Sequence, residues 1–252
     1  MQLTRTIAAP LVYLWRQAES ILRSEYVASG SLPFRSLLIS TLAFGAIYGA
    51  AMGVFTLHSL DRWPQVVYSA AKVPLLLLGS FILSVPSFYV FNTLAGLARD
   101  FPAAIRSLAA TQSGLAIILA SLAPLTLFWY CSFANYQAAL AFNGMMFAVA
   151  SLSAQILLRR HYGPLIQTNP RHGLMLVCWL TIYMLVAIQL AWLMRPFIGD
   201  PKRSPEFFRH DPFHNNAYEM ALKTAWRFLT EKHENNRPHD SYKSYELERI
   251  DR

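Results

Sequence analysis

Few side chains in this chain are spaced in a way that would support chemistry, and the nearest case is the segment HDPFH. It holds His210, Asp211 and His214, and two histidines four residues apart can share a metal ion on a regular helix. Pro212 between them disfavours that helix, and no third firm ligand is evident. We predict an ordinary polar loop and no metal site, with these three residues as the only candidate ligands.

Motifs of the common enzyme classes are missing from the sequence. It contains no GxSxG, HExxH, GxxxxGK[ST] or GxGxxG pattern, so hydrolase nucleophiles, zinc-protease ligands and nucleotide-binding loops are not indicated. Cys131 and Cys178 form neither a CxxC motif nor a disulfide framework. We predict no catalytic residues and no cofactor.

Amides are the main polar side chains inside the long apolar segments of the chain. They are Gln112, Asn143, Gln155 and Gln189. Each is expected to hydrogen-bond across helices, and ligand binding is the alternative. No Asp or Glu lies in these segments, although proton- and cation-coupled transporters commonly place carboxylates there. The seven histidines lie outside them as well.

Transmembrane helices are the elements that would position these amides. Only 14% of the residues are charged, against about 25% in a typical soluble domain. No charged residue occurs between Arg106 and Arg159, a gap with room for two spans of about 20 residues each. We predict an all-α polytopic transmembrane bundle with five spans, at about residues 35–57, 68–92, 108–131, 137–158 and 174–196.

Amphipathic segments flank this predicted bundle, which occupies residues 34–197. The cytoplasmic region 1–33 has one apolar stripe at helical spacing, and Glu19 and Arg23 are placed for an i,i+4 ion pair. Residues 198–252 form a polar tail with a second amphipathic helix at about 216–232. Either helix can lie on the membrane, dock on the bundle or contact a partner. The first stripe consists of Leu11, Leu14, Trp15, Ala18, Ile21 and Leu22.

Glycines and prolines mark the spans. Gly45, Gly49 and Gly53 repeat at a spacing of four, which lets helix backbones approach closely. Their partner is either another helix of this chain or a second copy of the protein. Pro86 and Pro124 predict kinks, because each removes a backbone N–H within a span. The kinks serve either helix packing or a substrate path.

Polar residues also bracket the second span. Lys72 is expected to snorkel to the interface, and Asn92 to meet the last helix carbonyls or lipid headgroups. Ser84, Ser87 or a neighbouring helix is expected to satisfy the carbonyl group that Pro86 leaves without a donor.

Arginines predict the orientation. With the N-terminus inside, nine arginines face the cytoplasm, while the two short outer loops hold only Arg62. The nine are Arg5, Arg16, Arg23, Arg35, Arg99, Arg106, Arg159, Arg160 and Arg171. The last three of them are expected to face lipid headgroups. Five full spans place the tail outside, and a re-entrant fifth segment would return it to the cytoplasm.

The layout resembles the Yip1-type integral membrane proteins, because a basic amphipathic region precedes five spans and FNTLAG follows the proline-containing second span. KVPLLLL, VPSFYVFN and MRPFIG (Met194–Gly199) are similar to segments of uncharacterised bacterial polytopic membrane proteins. The resemblance covers about residues 35–199. It implies a non-enzymatic membrane protein that binds partners or shapes the bilayer. We predict that its location is the bacterial inner membrane.

Two functions are therefore open. The first is a scaffold, accessory subunit or bilayer-shaping component, and the alternative is a small-solute transporter or channel component that uses the proline-broken spans. Expected partners are the lipid bilayer and either other membrane subunits or a second copy. Nucleic acid is not expected, because the net charge of +8 is not concentrated on a folded module.

Thiol labelling tests the predicted topology. A cysteine at Asn135 should react with a membrane-impermeant reagent only from outside, and one at Gln167 only from inside, because the arginines place these positions on opposite sides. Sealed vesicles of both orientations provide the measurement. The reverse pattern would contradict five spans in this orientation.

Overall fold

The computed structural model describes residues 2–23, 33–57, 60–199 and 204–208, all in one compact unit, Met1–Pro212. The described residues form α1 (Gln2–Arg23), α2 (Phe34–Gly53), α3 (Trp63–Leu94), α4 (Phe101–Ser132), α5 (Tyr136–Thr168) and α6 (Arg171–Leu193). Short 3₁₀ turns lie at Val54–Thr56, Leu60–Arg62 and Ala98–Asp100. Because no strand occurs in these ranges, the predicted all-α class is confirmed.

Five of these helices, α2 to α6, are long and apolar enough to cross a membrane, so the chain is an integral membrane protein. Helices α3, α4 and α5 hold 32, 32 and 33 residues, or about 48 Å each at 1.5 Å per residue. A hydrocarbon core is about 30 Å thick, so these helices must tilt or extend beyond it.

Helix α5 is longer than the sequence predicts. The basic segment after residue 158, expected to be a loop, continues the helix to Thr168 and includes Pro164. Hydropathy detects only the part of a helix that suits lipid, and so it missed these polar turns. The helix ends before Pro170 because a residue that precedes proline, here Asn169, is pushed to an extended backbone.

The segment FNTLAG sets the end of α3. Gly96 has a φ of +75°, which glycine adopts readily, and this closes the last turn. The N–H of Leu97 donates to the carbonyl of Asn92 at 2.8 Å, and that of Gly96 donates to the carbonyl of Thr93 at 3.0 Å. The buried Asn92 amide donates to the carbonyl of Phe88, so it serves the helix and not a headgroup.

Backbone packs against backbone where α2 meets α3, along the glycine seam of Gly45, Gly49 and Gly53. A methyl group added to Gly45 would lie 3.2 Å from Pro74, and one on Gly53 would lie 2.6 Å from the Cα atom of Val66. At Gly49 it would overlap the carbonyl oxygen of Ser69. The seam therefore packs within one chain.

Helix α6 lies on α3 through aromatic rings. The Trp179 ring is 5.3 Å from that of Phe81 and 5.0 Å from that of Phe88, measured between centroids. The rest of α6 is little covered, since 11% of its apolar window is buried, against 33–50% in the other four spans.

The C-terminal half of α1 docks on the bundle. Ile21 is fully buried, whereas Trp15 is 74% exposed, so the predicted apolar stripe is divided between the bundle and its surroundings. On α5, the His161 ring donates from Nε2 to the carbonyl of Ile21 at 3.2 Å. Glu19 and Arg23 form the predicted ion pair at 2.8 Å.

Leucine substitutions test the glycine seam. Gly49→Leu should lower the free energy of unfolding by about 1–3 kcal/mol, because the side chain would force α2 from α3. Gly144→Leu is the matched control, since a Cβ atom added there meets nothing within 4 Å. Thermal unfolding in detergent is the measurement, and equal stability of both variants would refute the close approach.

Candidate functional site

One face of α3 carries three buried polar side chains at helical spacing, the α3 polar stripe of Gln65, Ser69 and Lys72. Their positions i, i+4 and i+7 fall on one side of a helix. Their exposed fractions are 1%, 0% and 0%. Groups this polar require hydrogen-bond partners inside the protein.

Those partners come from the segment that follows α6, Met194–Gly199, here called the strap. Lys72 donates from Nζ to the carbonyl of Pro196 at 2.6 Å, and the hydroxyl of Ser69 donates to the carbonyl of Phe197 at 2.5 Å. Gln65 donates from Nε2 to the same Phe197 carbonyl at 3.3 Å. Ile198 is 1% exposed and enters the core, so the strap is packed as well as hydrogen-bonded.

The prediction that Lys72 snorkels to the interface is wrong. The strap brings a carbonyl to the ammonium group inside the protein, and the Phe207 ring lies 5.0 Å from it. Within the described ranges no carboxylate pairs with Lys72. Its charge is therefore balanced by a peptide dipole and the face of an aromatic ring. An ionisable group inside a membrane bundle is a functional candidate by default.

A cleft of about 490 Å³ opens between α4, α5 and α6. Gln112, on its lining, donates to the carbonyl of Leu77 at 3.1 Å and to the hydroxyl of Tyr183 at 2.9 Å, so this amide bridges three helices. Gln155 also lines the cleft, and within the described part of the chain its amide has no hydrogen-bond partner. The Oε1 atom of Gln189 is buried without a partner.

Asn143 joins another three helices. Its amide nitrogen donates to the hydroxyl of Tyr130 on α4 at 2.6 Å and to the carbonyl of Ala139 at 2.8 Å. Its Oδ1 atom accepts from the hydroxyl of Tyr48 on α2 at 3.2 Å. Both amide protons are used, so Asn143 acts in packing.

A buried histidine ties the start of α6 to its neighbours. His172 lies 3.1 Å from Asp100 through Nε2 and 3.5 Å from the Tyr162 hydroxyl through Nδ1. In an Asp–His–hydroxyl series the carboxylate can orient the imidazole as a base for the hydroxyl, but His172 and Tyr162 are fully buried, so a substrate has no access to them. Like His161, His172 lies in a membrane-type helix, because α5 and α6 extend past the predicted spans.

The two mid-span prolines lie on the outside of the bundle. Pro86 and Pro124 are exposed, and α3 and α4 continue through them as helices. The hydroxyl of Ser84 donates to the carbonyl of Ser80 at 2.7 Å, and not to the carbonyl that Pro86 leaves free. That expected role of Ser84 is therefore wrong.

The remaining predicted residues are at the surface or outside the described ranges. Arg159, Arg160 and Arg171 are exposed. His210, Asp211 and His214 lie outside the described residues, as does the helix expected at 216–232. In the part that is described, no group of three His, Cys, Asp or Glu side chains could hold a metal ion.

Lys72→Met tests the strap. Methionine keeps most of the volume but removes the donor to the Pro196 carbonyl, so amide hydrogen exchange in residues 194–199 should rise about tenfold, as expected for a lost charge-assisted bond. Global thermal stability should change less than the exchange in the strap does. The variant also removes the cost of burying a charge, and this offsets part of the lost hydrogen bond. Arg99→Met is the control, since Arg99 is exposed. Unchanged exchange in the strap would show that Lys72 does not hold it.

Comparison of the chain with protein-family models, with curated proteins and with solved structures gives no match. The similarity to Yip1-type proteins stays a prediction from the sequence. The fold itself is an all-α integral membrane bundle with five membrane-length helices in the described ranges.

Proposed function

We propose that the chain is a non-catalytic scaffold or accessory subunit of a membrane assembly, and the exposure of α6 carries this proposal. It is the most apolar of the five membrane-length helices, yet its apolar stretch is the least buried of the five. Leu174, Val177 and Met184 are 59–64% exposed on it. A span that its own chain leaves uncovered offers a face for another membrane protein or a second copy.

Burial of the most reactive groups among the described residues supports the non-catalytic part of the proposal. The ionisable and amide groups nearest to a catalytic arrangement are Lys72, His172 and Asn143, and each is buried. Their partners are main-chain carbonyls, helix-bound hydroxyls and Asp100. These contacts tie segments of the chain together, and Lys72, His172 and Asn143 are themselves inaccessible to solvent.

Our proposal places the protein in a bacterial cytoplasmic membrane with its N-terminus inside. The exposed Arg159, Arg160 and Arg171 then meet anionic headgroups of the inner leaflet, and the strap lies on the outer side. The lipid bilayer is a partner in this arrangement, and nucleic acid is not.

A small-solute transporter is the second candidate, and the cleft with the unpartnered Gln155 is the observation in its favour. The proline-broken path first expected for it gains no support, because Pro86 and Pro124 face outward on continuous helices.

Photo-crosslinking tests the scaffold proposal. A photoreactive residue replaces Val177 on α6 or Leu83 on α3, two apolar positions that are both 59% exposed. We expect protein adducts of defined mass at Val177 and only lipid adducts at Leu83, because among the described spans α6 is the least covered by the rest of the bundle. Mass spectrometry of membranes irradiated in intact cells identifies them. Lipid adducts alone at both positions would contradict the proposal.

The Pro86→Ala variant separates the two functions when the crosslinking is combined with a solute-flux assay. It should stay folded and keep the adducts at Val177, because Pro86 is exposed. A folded variant that keeps its adducts but loses a measurable solute flux would favour the transporter.

A further inference from the structure

We propose that the cleft between α4, α5 and α6 binds one phospholipid, with an acyl chain between α5 and α6 and the phosphate at Arg159. This site is separate from the exposed stripe of α6 at Val177, since Val177 does not line the cleft.

The cleft has the size and lining of a site for a mostly apolar ligand. Its volume is about 490 Å³, within the range of about 300–1,000 Å³ that is usual for ligand pockets. Helices α5 and α6 follow one another in the chain but have little contact along their length, and α4 closes the space behind them. The lining is apolar except for a few polar groups, among them Thr111, Gln112 and Gln155.

The cleft opens toward lipid. Leu152 on α5 is 72% exposed and Met184 on α6 is 62% exposed, and both line the cleft. On membrane-length helices, apolar side chains with this exposure face acyl chains. A chain of a bilayer phospholipid can therefore enter from the side without crossing water.

Polar side chains along α5 lie in the same order as the polar groups of a phospholipid, with Gln155 matching an ester carbonyl and Arg159 matching the phosphate. Gln155 and Arg159 are one helical turn apart on one face, and four residues correspond to a rise of about 6 Å. The Gln155 amide has no hydrogen-bond partner among the described residues, so it can donate to an ester carbonyl. Arg159 is exposed just past the lining residue Leu158, and a guanidinium group binds phosphate through two parallel hydrogen bonds.

A transmembrane helix of another protein fits the site less well. It would cover Arg159 and Gln155 together, and burying an unpaired guanidinium is strongly unfavourable. A phosphate brings the opposite charge to that position, and the acyl chain covers the apolar lining.

Native mass spectrometry tests the site with palmitoyl-oleoyl phosphatidylglycerol added to the whole protein in mild detergent. Arg159→Gln removes the phosphate contact, and Arg160→Gln is its control, because Arg160 is also exposed and occupies the next position of the helix. Ala187→Trp fills the cleft, and Ala141→Trp is its control, because Ala141 is an exposed α5 residue outside the lining. If Ala187→Trp does not fold, the comparison of Arg159→Gln with Arg160→Gln is sufficient to test the site.

The wild type should retain one lipid, and Arg159→Gln should weaken binding about tenfold, as expected for a lost charge-assisted contact. Ala187→Trp should abolish retention, and both controls should bind as the wild type does. Equal losses from Arg159→Gln and Arg160→Gln would overturn the site as non-specific attraction. The site would also be overturned if inorganic phosphate displaced the lipid. A photoreactive residue placed at position 155 that crosslinked to another protein would overturn it as well. None of these results bears on the proposed docking face at Val177, so the two proposals are tested separately.

Discussion

The close approach of α2 and α3 at Gly49 is the constraint on which the rest of the bundle depends. The carbonyl oxygen of Ser69 occupies the space where any other residue at position 49 would carry its Cβ atom. This contact fixes the rotation of α3 about its own axis. Its polar stripe is then turned toward the strap, and Phe81 and Phe88 are turned toward Trp179 on α6. One pair of backbones thus determines where two other segments can dock.

Polar groups in this bundle hold segments together that are distant in sequence. Lys72 is fully buried, and a charged side chain inside a membrane-spanning bundle is costly. The Pro196 carbonyl and the Phe207 ring offset that cost, and they fix the strap in return. Asn143, Gln112 and His172 do the same between helices. An interior organised in this way is stable and specific, and it leaves binding to the outer faces.

Patterns within short segments predicted the features that depend on residues close together in the sequence. Hydropathy identified the five spans, the spacing of Gly45, Gly49 and Gly53 indicated close packing, and Glu19 and Arg23 form their expected pair. The partner of Lys72 could not be predicted, because Pro196 lies 124 residues further along the chain.

The polar turns of α5 and the cleft were missed for two different reasons. Hydropathy does not register a helix once it leaves the lipid, so the continuation of α5 to Thr168 was not seen. The cleft arises because α5 and α6 have little contact along their length, and no pattern in the sequence of either helix predicts this.

Thiol accessibility inside the bundle tests most directly whether its interior is packed and closed. Ser84 and Ser113 are suitable positions because both are fully buried, with an exposed fraction of 0%. Ser84→Cys and Ser113→Cys would be made in a protein whose free cysteines, Cys131 and Cys178, are replaced by serine. A packed interior predicts no reaction with a water-soluble, membrane-impermeant reagent from either side, and full reaction after unfolding. Labelling of either cysteine in the folded protein would reveal an aqueous path and contradict a function that resides on the outer faces.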